Sequence, residues 1–429
     1  MDIIKRIIDF EYRFKIKAKI FLPIVILIFM SLMLLKYSSI EKEYLFYSQL
    51  RWMFLGICSF YFFSYIRIDF IYKNSYQLYF FIIGLLFLTI LFGIEVNHSR
   101  RWLSVGFINF QPSEFGKLFF VFFIAKVLAQ RSVEKRFGIV LFIILCSFFV
   151  VFFIIQQPDL GTSLVYLFLI FPMMLWANIK LVDILLVVSP FVSFFISFIY
   201  EFSSKTNAIE VGETYFFILF SVWVIGITLI LFIRYRNILN VYVSTLIVSV
   251  NLLITMLTKQ FFQKLETSYW INRILAYLDP HMYRNNYAYQ INSSYDAIGS
   301  GGLSGKGLGK GLLTEFKMMP IYESDFIVSA LAEQYGLFGV VVLLTCLIYF
   351  FYWMIVYIDK CPNRFEQLII VGFCSIWFFH SFVNLCIVSG MLPVTGLPFP
   401  FLSYGGTYLV TNFLMFSVAN KIISSHVSN

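Results

Sequence analysis

The chain has 429 residues, 60% of them hydrophobic and 13% charged, and a formal net charge of +9. A soluble globular domain is nearer half apolar and a quarter charged, so that class is excluded. In so apolar a chain the positive balance speaks for basic cytoplasmic loops beside anionic membrane lipid, and against a nucleic-acid partner.

Apolar runs of ~20 residues recur from near the N-terminus onward, each enough to cross a ~30 Å hydrocarbon core. They are continuous rather than alternating, so they predict helices and not the strands of a barrel. About twelve crossings are expected on this criterion, centred near Leu27, Leu55, Leu85, Val121, Leu145, Phe168, Val188, Trp223, Ile247, Val341, Gly372 and Leu414. The first run lacks a small-residue cleavage site and is read as a retained span. Basic residues set the orientation. Lys5, Arg6, Arg13, Lys15, Lys17 and Lys19 lie at the N-terminal end, and Lys126, Arg131, Lys135 and Arg136 surround a later connection. With both inside, Arg234, Arg236, Lys360, Arg364 and the C-terminus also fall inside. Residues 1–429 thus read as one integral membrane domain. The 54 Phe are assigned to base composition and a lipid-facing surface. Six Cys without a Cys-x-x-Cys pair, and four scattered His, predict neither a disulfide framework nor a metal centre.

One connection differs from the rest. Residues 258–325 form a long polar segment on the outer side, of a length that is usually functional or disordered. Its middle is rich in glycine from Gly299 to Gly311. Two readings are open: a flexible linker, or backbone that approaches a ligand closely. The spacing does not match a Walker-type phosphate loop.

Ionisable groups at membrane depth are costly and therefore informative. Four outer-side places carry them or the irregular backbone that accompanies them. The first holds Arg100-Arg101-Trp102 and then Gln111-Pro112-Ser113-Glu114, with Lys117 three residues beyond Glu114 on the same helical face. That pair either packs helices as a self-neutralised ion pair or lines a polar cavity. The second is Gln156-Gln157-Pro158-Asp159-Leu160-Gly161-Thr162, where Asp159 reads first as a helix N-cap. The third is Tyr322-Glu323-Ser324-Asp325-Phe326, where Asp325 is either a cap or a carboxylate able to act as a base. The fourth runs from Ser389 to Thr407 and contains Pro393, Pro398, Pro400 and Ser403-Tyr404-Gly405-Gly406. Such irregular backbone is tolerated at membrane depth only where protein or a water-filled cavity surrounds it.

These four segments, in this order, resemble the SEDS family of cell-wall polymerases (shape, elongation, division and sporulation). The specific parts are Leu392-Pro393-Val394-Thr395-Gly396-Leu397-Pro398 with Ser403-Tyr404-Gly405-Gly406, Arg101-Trp102 with Gln111 to Glu114, Gln157 to Thr162, and Gly299-Ser300-Gly301-Gly302-Leu303. Gly305-Lys306-Gly307 and Pro393-Val394-Thr395-Gly396 resemble the RodA elongation branch more than the FtsW division branch. The chain departs from the family pattern before Asp325, where Ile321, Glu323 and Ser324 replace the usual Glu, His and Thr, and at Leu312 to Glu315.

The resemblance implies an all-α polytopic bundle that polymerises lipid II, an undecaprenyl-pyrophosphoryl disaccharide-pentapeptide, into glycan at the outer face of the bacterial cytoplasmic membrane. It implies a class B penicillin-binding protein and the elongation machinery as partners. Asp325 matches the family's essential Asp, and Glu114 and Lys117 match its Glu and Lys. Arg101, Asp159, Lys306 and Ser403 are the further substrate-binding candidates, and a divalent cation (Mg or Mn) is left open beside the substrate. A lipid II flippase and a non-catalytic scaffold are the competing classes. The family core has ten spans, whereas residues 184–257 hold three apolar stretches broken at Glu201–Glu213 and Arg234–Asn237. An inserted transmembrane hairpin is expected there, an even number of spans being required to leave Asp325 outside.

Overall fold

The computed structural model describes residues 17–37, 43–96, 99–106, 108–130, 136–206, 213–234, 238–265, 273–274, 277–278, 288–311 and 322–426. The basic N-terminal residues up to Lys15, residues Arg131 and Lys135, Arg236, Asn237, residues 312–321 and most of residues 266–287 lie outside these. The same is true of the side chains of Ser204 and Arg234.

In chain order the elements are α1 (Ala18–Lys36), α2 (Glu43–Ser64), α3 (Ile68–Phe92), strands β1 (Ile94–Val96), β2 (Ser99–Val105) and β3 (Ile108–Phe110), and α4 (Pro112–Ala129). There follow α5 (Arg136–Gln156), α6 (Leu160–Trp176), α7 (Leu181–Thr206), α8 (Glu213–Arg234), α9 (Ile238–Leu265), the short polar α10 (Tyr289–Gly301), α11 (Ile327–Ile358), α12 (Arg364–Val388) and α13 (Gly406–His426). Every expected centre falls inside a helix. Among the described residues seven helices are long and apolar enough to cross a membrane: α1, α3, α7, α11 and α12, with α5 and α8 over Gly138–Gln156 and Thr214–Leu231. The protein is a multi-pass helical membrane bundle.

The three short strands are an addition to the expected all-α pattern. They form antiparallel pairs in the order β1-β2-β3, with Glu95 opposite Arg100 and Ser104 opposite Asn109. Gly106, at a φ of 63°, supplies the left-handed backbone for the second turn. The Arg100–Glu95 pair across β1 and β2, at 3.2 Å, is half exposed and contributes little stability.

The chain divides into two compact units. The first contains residues 1–132, 145–177 and 290–429. Its interior helix is α4, buried on nearly all sides from Pro112 to Leu128. Tyr79 of α3 stacks on Phe123 at 4.1 Å, and Tyr166 of α6 donates to the Ser113 carbonyl at 2.9 Å. α12 and α13 complete this interior. Phe379 of α12 stacks on Phe168 of α6 at 4.5 Å, and Ser417 of α13 donates to the Phe60 carbonyl of α2 at 2.6 Å.

The second unit contains residues 133–144 and 178–289. Here α7, α8 and α9 pack around Leu186, Ile227, Leu231 and Ile247. The same three helices also share a polar network. Ser193 donates to Asn251 Oδ1 at 2.5 Å and accepts from Trp223 Nε1 at 3.1 Å. Asn251 Nδ2 donates to Ser189 Oγ at 2.9 Å and to the Ile247 carbonyl at 2.8 Å. Side chains from three helices thus meet in hydrogen bonds, the means by which helices are joined where lipid removes the hydrophobic drive.

Candidate active site

All seven sequence-derived candidates lie in the first unit, and the irregular segment after α12 brings several together. α4 starts at Pro112, whose fixed φ suits a first helical position. One turn in, Lys117 Nζ lies 2.8 Å from Glu114 Oε2, and both side chains are almost wholly buried. Glu114 Oε2 nonetheless has no aligned hydrogen-bond donor among the described residues. Lys117 also reaches His380 Nε2 at 3.0 Å, while His380 Nδ1 lies 3.0 Å from the Pro398 carbonyl. A carbonyl only accepts, so Nδ1 carries the imidazole proton and Nε2 accepts from the ammonium. The Tyr408 ring closes the group, its centroid 5.4 Å from Lys117 Nζ and 4.9 Å from the His380 ring.

Asp325 occupies a turn just before α11. The N-cap position of that helix is Phe326, one residue beyond Asp325, and its side chain makes no capping bond. The Asp325 backbone carbonyl accepts from Asn384 Nδ2 at 2.8 Å, and the same amide nitrogen donates to the Leu397 carbonyl at 2.8 Å. Asp325 Oδ2 faces Gly396 closely enough that a Cβ placed there would stand 3.6 Å away. Ser403 Oγ accepts from the Phe399 amide at 2.8 Å and donates to the Ser324 carbonyl. Glu323, also buried, accepts at its carbonyl from the Tyr404 amide at 2.8 Å. The Asp325 turn and the proline-rich segment are therefore laced together over residues 323–325 and 397–404.

The remaining candidates have partners of their own. Asp159 is the N-cap of α6 and accepts from the Thr162 amide at 3.1 Å and its hydroxyl at 2.9 Å. Its carboxylate also accepts from Gln111 at 3.1 Å, so the cap reading holds and ties the first two motifs together. Arg101 donates to the carbonyls of Gln157, at 3.1 Å, and Pro158. Nearby is a cavity of about 230 Å³ lined by Glu95, Arg100, Gln157 and their neighbours, and neither Asp325 nor Lys117 lines it. Lys306, partly exposed, lies 3.5 Å from the fully buried Glu333 of α11.

The glycine-rich stretch approaches its own chain. α11 is interrupted at Gly336, whose φ is 67°. The loop inserts at that break: the amides of Lys306 and Gly307 donate to the Glu333 and Gln334 carbonyls at 3.0 Å each, and that of Leu337 to the Gly302 carbonyl at 2.9 Å. A Cβ at Gly305 would meet Gln334 O at 2.2 Å, and one at Gly336 would meet Gly305 N at 2.3 Å. Glycine is needed here because two backbones touch, which settles residues 301–311 as a built support and not a loose tether.

Sequence reasoning missed His380, Asn384 and Glu333. The available signal was polar groups inside apolar runs, with His380 and Asn384 four apart and so on one face of α12. Among the described residues no group of three or more His, Cys, Asp or Glu is arranged to hold a metal ion.

Comparison with known proteins places this arrangement. A family model described as FTSW_RODA_SPOVE, cell cycle protein, matches residues 12–211 and 210–427. The probable peptidoglycan glycosyltransferase FtsW of Wigglesworthia glossinidia brevipalpis is 29% identical over 385 residues, covering 87% of this chain and 83% of that one. The peptidoglycan glycosyltransferase RodA of Treponema pallidum is 28% identical over 392 residues, covering 87% of each. Among solved structures, a chain from a study of a peptidoglycan synthase complex that coordinates polymerization and crosslinking superposes with a TM-score of 0.68. It is 21% identical and covers 97% of this chain and 100% of its own. With the match running through almost its whole length, the chain belongs to the FtsW, RodA and SpoVE family, the SEDS proteins.

Proposed function

We propose that the protein is a peptidoglycan glycosyltransferase that polymerises lipid II at the outer face of the bacterial cytoplasmic membrane, with Asp325 as general base. The observation that carries this reading is the convergence of ionisable groups on one short turn. Asp325 faces it at Gly396 and is tied to Leu397 through Asn384, and Lys117 meets it through His380 at Pro398. Buried charges of this kind in a membrane protein mark chemistry or transport. Transport alone does not call for a carboxylate bracketed by backbone ties at the end of a loop.

The acceptor sugar's 4-hydroxyl attacks the anomeric carbon of the donor. The new C–O bond forms as the bond to pyrophosphate breaks, and undecaprenyl pyrophosphate leaves with the electron pair. Asp325 takes the hydroxyl proton, a contribution of about 10²–10⁴-fold. Positive charge from Lys117, Arg101 or Lys306 stabilises the leaving pyrophosphate. Glu114 holds Lys117 in place, Asp159 holds the first two motifs together, and Ser403 holds the turn before Asp325. Among the described residues no group of three or more His, Cys, Asp or Glu is arranged to hold a metal ion, and no step is routed through one.

Several finer assignments belong to this reading. Gly305-Lys306-Gly307 and Pro393-Val394-Thr395-Gly396 favour the RodA elongation type. The synthase complex among the structural matches supports a cross-linking partner, and a class B penicillin-binding protein is the partner that the family resemblance implies. The twelve helices other than α10 are taken as the spans, N- and C-termini inside. Of these, α7 to α9 contain the two-span insertion, and residues 258–325 form the outer loop. The family match comes in two pieces that meet at residues 210–211, within that interval. Labelling from outside in a background without native thiols tests the topology: Ser204→Cys should react with an impermeant reagent and Asn237→Cys should not.

The deciding experiment for function is polymerisation of lipid II by the purified protein together with its penicillin-binding partner. Glycan that disappears when the substrate or the protein is left out supports the reading. Outward movement of lipid II without glycan would favour the flippase.

A further inference from the structure

His380 and Asn384 are fully buried, lie one helical turn apart on α12, and both reach the Leu397–Pro398 backbone. Each has a second contact. His380 holds Lys117 Nζ at 3.0 Å, and Asn384 donates to the Asp325 carbonyl at 2.8 Å. Two adjacent carbonyls of one turn are therefore read by two residues of one helix. The outer ends of those two links are the proposed base and the proposed cation.

We infer that His380 and Asn384 form a positioning pair that fixes the separation of Asp325 and Lys117, with the Leu397–Pro398 backbone as the shared reference. The inference rests on the glycan-polymerase reading of this site. The physical case has three parts. First, both groups are buried polar side chains that each make a hydrogen bond to irregular backbone outside their own helix, and losing such a bond is expensive. Second, both are borne on α12, a rigid 25-residue helix with Trp377 anchored to Asn412 of α13 at 2.9 Å. Side chains on such an element are held more closely than side chains on a loop. Third, Asp325 itself stands in a turn, not a helix, so its placement depends on what holds its backbone. Neither His380 nor Asn384 takes part in proton transfer. They act through Lys117 and Asp325.

A displacement of about 1 Å at a reacting group costs on the order of 10²-fold in rate. The test compares Asn384→Leu and His380→Phe, which keep bulk but remove the bonds, with Asn384→Gln and His380→Gln, which place a hydrogen-bonding amide at each position. Polymerisation of lipid II is measured with the penicillin-binding partner present, and each rate is expressed per folded molecule. Membrane abundance and thermal unfolding are measured on the same preparations. The expected result is a fall in kcat of about 10²-fold for the Leu and Phe variants, with KM within about twofold of wild type. The Gln variants should recover part of the loss. Wild-type kcat in Asn384→Leu and His380→Phe overturns the inference. So does a loss that merely follows abundance and unfolding temperature and is not recovered by Gln, which is the pattern of ordinary packing residues. A wild-type protein that makes no glycan overturns instead the functional reading beneath it, and is told apart because it fails before any variant is compared.

Discussion

The two compact units use buried polar groups in opposite ways. In the first, Glu114, Lys117, His380 and Glu333 are buried and ionisable, and three hydrogen bonds run to irregular backbone, from His380 to Pro398 and from Asn384 to Asp325 and to Leu397. In the second, the network of Ser189, Ser193, Trp223 and Asn251 is neutral, and its side chains bond chiefly to one another. Neutral hydrogen bonds between membrane helices are each worth about 0.6 kcal/mol and act as glue. Charged groups at that depth cost several times more, and a chain keeps them where they do something else. On the proposed function, the comparison sets a region that would carry chemistry beside a neutral network that joins helices.

Its sharpest test is Asp325→Asn. The change preserves size and the backbone carbonyl that Asn384 holds, and removes only basicity. Polymerisation is expected to fall by about 10²–10⁴-fold with normal insertion in the membrane. A near-wild-type rate would remove the first unit's claim to be the catalytic one.

Lys117→Met comes next. If Lys117 and Glu114 only neutralise each other, replacing both with Met and Gln should be nearly silent, since well-packed neutral groups often substitute for a buried pair. The expected outcome is loss of activity in Lys117→Met and no restoration in the double variant. Recovery in the double variant, measured as glycan formed per folded molecule, would reduce the pair to packing.

Much of this contrast was legible in the sequence, for reasons that differ from part to part. The twelve helix positions were legible because continuous apolar runs have one solution in lipid. Asp325, Glu114 and Lys117 stood out because charge at membrane depth is rare. Asp159 was legible as a cap from its place before Leu160-Gly161-Thr162. His380 and Asn384 were not, because a lone polar residue in an apolar run has no visible partner until the Pro398 and Leu397 carbonyls are folded against it. The use of Gly305 and Gly336 was hidden too, since they meet across residues 306–335. The strands escaped because β1 and β3, at three residues each, carry too little alternation to be read.

Gly305→Ala gives the third test. A methyl group there would overlap the Gln334 carbonyl at 2.2 Å in a residue held at a φ of 75°, and the neighbouring atoms are backbone, which cannot turn aside. Strain of this type costs about 1–3 kcal/mol and would displace Lys306 from Glu333. A lowered unfolding temperature in detergent and a partial loss of rate are expected. An unchanged unfolding temperature would mean that the loop is not seated at the α11 break.

Asn251→Leu should have the smallest effect and probes the other side of the comparison. The side chain makes hydrogen bonds to Ser189 and Ser193 of α7 and to the Ile247 carbonyl of its own helix, and Ser193 in turn accepts from Trp223 of α8. Leucine is close to it in volume, so the change removes bonds without leaving a large hole. The serines can turn to carbonyls of their own helix, as Ser189 already does toward Leu186 at 2.8 Å, which limits the penalty. A destabilisation of about 0.6–1.7 kcal/mol is therefore expected, read as a fall of a few degrees in unfolding temperature. The glycan made per folded molecule should stay at the wild-type value, because nothing in this network carries charge or touches a proposed reacting group. A rate loss comparable to that of Lys117→Met at unchanged stability would place Asn251 in the catalytic machinery and dissolve the distinction between the two units.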